Sequence, residues 1–131
     1  MIDGRQFVDL EGFYDEISFQ LIPGATWGRN LDAFNDILRG GLGTSEGGFY
    51  LRWMHSHLSQ ERLGWAETIL WFERNLANTN SHSPKARLFQ TRLDSARRHE
   101  GETMFDKLVR IIRVHGPGGE EADDGVHLIL E

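Results

Sequence analysis

Three short apolar segments that read as strands are held apart in this sequence by long stretches of helical periodicity, and this separation limits the fold more than any other feature. Met1 and Ile2 open the chain; Phe49, Leu51 and Trp53 alternate with Tyr50 and Arg52; and Val126 to Leu130 close it. Strands that are separated by helices pair in parallel through crossover connections, because a tight hairpin cannot join them. The expected fold is therefore α/β, with a small parallel sheet of about three strands covered by helices. A length of 131 residues favours one domain, residues 1–131.

The helices carry their own boundary signals. Residues 5–8 read as an extended continuation of the first strand. Asp9 is then a cap for a helix with Glu11 in its first turn and Phe13, Ile17 and Leu21 as one buried stripe, ended by Pro23-Gly24. Asn30 caps the next helix, whose core face is Leu31, Phe34, Ile37 and Leu38, and Gly40-Gly41 stops it. A glycine-rich connection, 40–48, leads to the second strand. Ser59 is expected to cap a helix running to about Leu76, with Trp65, Ile69, Phe72 and Leu76 packing as a stripe on the sheet or the domain edge. Ser83-Pro84 starts a helix to about His99, and Thr103 starts one to about His115. Gly116-Pro117-Gly118-Gly119 ends it before the acidic stretch 120–124.

Charge is unevenly placed. Residues 1–48 hold eight acids and three bases, residues 49–116 seven acids and eleven bases, and residues 117–131 five acids and no base. Two acidic ends favour a cationic partner and disfavour nucleic acid, or else serve only to keep the protein soluble, which composition alone favours. The basic residues Lys85, Arg87, Arg92, Arg97 and Arg98 read as a solvated helix face. No cysteine is present, which excludes disulfides and thiolate metal sites and fits a reducing compartment. The start has no basic and apolar leader pattern, and no apolar run is long enough for a bilayer, so a cytoplasmic protein without a membrane partner is expected. His55 and His57 alternate as if on one side of a strand, without a third nearby ligand, and no metal or cofactor is expected. Glu67, Glu73, Asp32 and Asp36 do not assemble into a recognisable catalytic set, and an enzyme is not expected.

One segment is more specific. Trp27-Gly28-Arg29-Asn30-Leu31-Asp32-Ala33-Phe34-Asn35-Asp36-Ile37-Leu38 resembles the signature of the barstar family, in which an aromatic-Gly-x-Asn-Leu-Asp-Ala run leads from a binding loop into the second helix. The resemblance covers about residues 1–53 and 105–131. It implies the family's barstar-like three-layer fold, with residues 54–104 as an extra helical insertion. It also implies tight 1:1 inhibition of a small basic secreted ribonuclease, without a cofactor, as in immunity against a toxin. The partner-binding residues it implies are Trp27, Gly28, Arg29, Asp32, Asn35, Asp36 and Arg39, with no catalytic and no metal-binding residues. The first strand is short here, and 112–115 lacks the carboxylate that the family's last helix carries.

Physically, Asp32 and Asp36 lie four apart and share one helix face, where rigid carboxylates can take phosphate positions in a cationic cleft. Asp32 also sits in the first turn, where it favours the helix dipole, so it is either a stabiliser or a contact. Trp27 is either core or contact. The alternative function is an interaction module of the same fold with a non-nuclease partner.

Overall fold

In a computed structural model, which describes residues 1–40 and 47–131, the chain runs β1 (Ile2–Asp3), α1 (Leu10–Leu21), α2 (Leu31–Arg39), β2 (Phe49–Met54), α3 (Ser56–Arg62), α4 (Trp65–Ala77), α5 (Pro84–Arg97), α6 (Met104–Val114) and β3 (Val126–Leu130). Most of the glycine-rich connection expected at 40–48 lies outside the described residues. β2 is the central strand and pairs in parallel with both neighbours, in the order β1-β2-β3. Ile2 lies beside Trp53, Phe49 beside Val126, and Leu51 beside Leu128. The α/β architecture with a three-stranded parallel sheet is thus the one expected.

The alternation in β2 sets the orientation of the sheet. Leu51 and Trp53 are fully buried, whereas Tyr50 and Arg52, which alternate with them, are exposed, as is Ile129 on β3 beside Arg52. The helices therefore supply the core from the Leu51–Trp53 side, and this part of the opposite face is open. The core gathers Phe13 and Ile17 of α1, Phe34, Ile37 and Leu38 of α2, and Leu108 and Ile112 of α6. Trp53 is its centre: its ring stacks on Phe13 at 5.3 Å and meets Phe105 edge-on at 5.2 Å.

The caps read from sequence are in place. The Asp9 carboxylate accepts from the Gly12 amide at 2.8 Å, and Asn30 accepts from Ala33 at 2.7 Å. Thr103 and Asp106 form a reciprocal capping box on α6, and Gly40, at φ 95°, closes α2 in the left-handed conformation. Three local expectations differ. Residues 4–6 form a 3-10 turn rather than strand, with the Asp3 carboxylate accepting from the Arg5 amide. Ser59 caps nothing: it is fully buried within α3, where its hydroxyl accepts the Trp53 indole N–H at 2.9 Å. The helix expected up to Leu76 is two helices, broken at Leu63-Gly64. Likewise His55 and His57 do not share a strand face, because β2 ends at Met54 and His55 turns into α3 at φ 54°.

α4 and α5 pack on each other and build a second apolar cluster, in which Phe72, Leu93 and Ala96 are buried and Trp65, Ile69, Leu76 and Phe89 are partly covered. Trp71 touches both clusters. The pair is tied to α6 by polar contacts as well. Thr68 accepts the Met104 amide at 2.7 Å, and the buried Lys107 ammonium lies 4.7 Å from the Trp71 ring. Burial holds the Lys107 pKa below its usual value. Lys85, Arg87, Arg92, Arg97 and Arg98 all point to solvent, as expected of a solvated face.

Candidate functional site

The loop before α2 is fastened back onto α1. The Trp27 indole N–H donates to Ser18 Oγ at 2.7 Å, and its half-buried ring meets Tyr14 edge-on at 5.3 Å. Trp27 is thus packed on the core and serves to anchor the loop. Arg29, at φ 51°, sends its guanidinium to Asp15 at 2.7 Å and Glu11 at 3.3 Å on α1. Those carboxylates, Asp15 first, raise the Arg29 pKa further, while burial beside Glu11 raises that of the Tyr14 hydroxyl. Gly28 is exposed between them, and a Cβ there would come within 3.3 Å of the Ala33 Cβ.

Downstream, α2 turns its side chains in two directions. Asp32 is exposed and makes no hydrogen bond or ion pair with any described residue. Asp36, with a side chain 62% exposed, is one turn further along the same face and takes the Arg39 guanidinium at 2.9 Å. Arg39 also reaches Glu121, again at 2.9 Å, in the acidic stretch after α6. Asn35 points the other way, and its amide oxygen is hydrogen-bonded to Nε2 of His115. The structure therefore brings Asp32, Asp36 and Arg39 together on the outer face. It sets Trp27 and Arg29 against α1, and Asn35 against α6.

The sequence marks His115 only as the approximate end of the last helix. It is fully buried, with Nε2 on Asn35 and Nδ1 on Asp124 Oδ2 at 2.6 Å. The signal was present in the α6 stripe, because Leu108, Ile112 and His115 fall at steps of four and three on one buried face. Glu121 Oε2 lies 3.5 Å from the same Nδ1. His115, Glu121 and Asp124 are the described residues with the geometry to offer a metal one atom each, all within 4.8 Å of one another. The segment 112–115 carries no carboxylate, and Glu121, in the stretch after α6, lies beside Arg39.

At the opposite end of α2, a cleft of about 270 Å³ separates Leu31 and Asp32 from Trp71, Asn75, Lys85 and Phe89. The α4–α5 pair therefore borders the exposed face that carries Asp32. Among the described residues, no helix is long and apolar enough to cross a membrane.

Residues 1–85 match the family described as Barstar (barnase inhibitor). The match runs past β2 through α3 and α4 and reaches the start of α5. Neither the curated proteins nor the solved structures contain a match to the chain.

Proposed function

Because the chain belongs to the barstar family, whose members are inhibitors rather than enzymes, we propose that it inhibits a small basic secreted ribonuclease by covering the cationic active site with α2 and the loop before it. The observation that carries this reading is the outer face of α2. Among the described residues Asp32 is unpaired there and Asp36 is held only by the exposed Arg39 guanidinium, and both stand on a helix packed on the core through Phe34, Ile37 and Leu38. A ribonuclease cleft binds phosphate with cationic side chains, and carboxylates carried on a packed helix can pair with them at a reduced ordering cost. Gly28 leaves room for a partner to approach the backbone, while Trp27 and Arg29 fix the loop. The complex is 1:1, reversible and free of cofactors, and it acts as immunity inside the producing cell.

The test is titration of barnase, the nuclease named in the family description, with this protein while RNA cleavage is followed. Stoichiometric loss of cleavage is the expected result. Asp36→Ala should weaken inhibition by about 2 kcal/mol or more, the level of an interface hot spot. Its melting temperature should hardly move, because an exposed i,i+3 pair contributes little to stability. Undiminished cleavage at equimolar protein would reject this inhibition. A second reading, an interaction module with a non-nuclease partner, is favoured by one feature. Arg39 already pairs with both Asp36 and Glu121 on the face that would meet a basic enzyme and offsets one of their two charges.

A further inference from the structure

We propose that His115 is a positioning residue for the partner-binding face, acting through Asn35 and the acidic stretch that follows α6. The proposal rests on the reading of α2 as that face. Two polar connections leave α2 and end in the same stretch. The first runs from Asn35 through the two ring nitrogens of His115 to Asp124. The second runs from Asp36 through Arg39 to Glu121. The first is buried at its centre, since His115 is fully enclosed, and the second is exposed.

The backbone around His115 makes it the fixed point of the arrangement. His115 donates its amide to Ile112 and its carbonyl accepts from Val126, so the residue joins the end of α6 to the start of β3. The Glu121 amide donates to Val114, and Gly119 packs so closely that a Cβ there would stand 2.3 Å from the Val114 carbonyl oxygen. The acidic stretch is therefore pulled back over the end of α6, where its two inner carboxylates converge on Nδ1 of His115. Glu121 is then at the distance from α2 at which Arg39 can hold it and Asp36 together. With the imidazole removed, Asn35 and Asp124 lose their shared partner, and among the described residues the spacing between α2 and the stretch then rests on the apolar packing of α2 on α6 and the exposed Arg39–Glu121 pair. Arg39 and Asp36 would then sample several arrangements, and a partner would have to order them on binding.

The experiment uses the full chain, barnase as the probe, and three variants: His115→Ala, His115→Gln and Asn35→Ala. His115→Ala should dissociate from barnase roughly tenfold faster, the cost of ordering one or two freed side chains. Its association rate should stay within about twofold, because rim charge is unchanged. Adding Asn35→Ala in that background should have no further effect, and His115→Gln, whose amide can bridge one partner, should recover part of the loss. An unchanged dissociation rate for folded His115→Ala, or additive effects with Asn35→Ala, would overturn the proposal. If His115→Ala does not fold, His115→Gln and Asn35→Ala carry the same non-additivity test.

A readout without any partner separates this proposal from the inhibitor reading. Exchange of the Arg39 Nε proton with solvent, followed by NMR, should be faster in His115→Gln than in the wild type. Faster exchange together with no binding of barnase would reject the inhibitor reading and keep the positioning role. Unaltered exchange would reject the positioning role whatever barnase does.

Discussion

Replacing Ser59 by alanine should destabilise the protein well beyond what its size suggests. Ser59 is fully buried in α3, and its hydroxyl is the acceptor for the Trp53 indole N–H at 2.9 Å. Trp53 is itself fully buried at the centre of the sheet, so no water is at hand to replace the oxygen. Ser59→Ala removes one atom and leaves an unsatisfied buried donor, a cost of about 1–3 kcal/mol. For a domain of this size roughly 4 °C of melting temperature is lost per kcal/mol, so a fall of about 4–12 °C is expected. Urea denaturation followed by circular dichroism would measure the free-energy loss, and a thermal melt the fall in melting temperature. The cause is isolated by repeating Ser59→Ala in a Trp53→Phe background, where no indole N–H remains to be orphaned. There the second substitution should cost at least about 1 kcal/mol less than it does in the wild type. An equal cost in both backgrounds, or a loss in the wild type below about 0.5 kcal/mol, would show that the hydrogen bond does not hold α3 to the sheet.

Gly48→Ala should cost about 2 kcal/mol or more, because φ is 90° and the new Cβ would stand 2.3 Å from the Gly125 carbonyl oxygen. Gly24→Ala, with φ 82° but nothing within 4 Å, should cost only about 1 kcal/mol in the same urea titration, so equal losses would rule out the close approach of β2 and β3 as the reason. The Arg5 guanidinium, by its hydrogen bonds to the carboxylate, lowers the Asp3 pKa from its ordinary 3.8 to about 2. A lowered carboxylate pKa stabilises the fold fully above the unfolded value, and the gain disappears as pH falls from about 4 to about 2. The melting temperature difference between wild type and Arg5→Ala should therefore shrink over that interval and also in high salt; a constant difference would exclude the ion pair as its source.

Much of the fold could be read from local chemistry. Asp9, Asn30, Ser83 and Thr103 each accept from an amide in the first turn of the helix they were expected to start. The alternation of Phe49, Leu51 and Trp53 gave the buried side of β2 correctly. Ser59 misled because serine near a helical run is by default a cap, and only the indole of Trp53, brought close by the fold, makes it a buried acceptor. The same holds for Glu67. Its carboxylate accepts the amide of Leu10 at the start of α1, 57 residues away. In the candidate site, Asp32, Asp36 and Arg39 could be grouped by helical spacing alone. The partners of Asn35 and Arg39 could not, because they come from a stretch about 80 residues on, whose position depends on how α6 ends.

On the proposed reading, the arginines paired within the chain explain how an acidic face can be both stable alone and ready for a cationic partner. Without Arg39, Asp36 and Glu121 would face each other with no counter-charge between them. Without Arg29, so would Glu11 and Asp15 beneath the loop. Each guanidinium is an exposed or half-exposed counter-ion, and such pairs contribute only about 0–1 kcal/mol. A partner that offers Asp36 a desolvated cation therefore displaces a weak interaction to form a stronger one, since charged pairs strengthen as water is excluded. The hydrogen bonds of His115 stay beneath that exchange, buried and unaffected by salt screening at the surface. On the proposed reading, then, the exposed pairs can be exchanged when the nuclease docks, while the buried Asn35–His115–Asp124 connection keeps the helix and the acidic stretch at a fixed spacing.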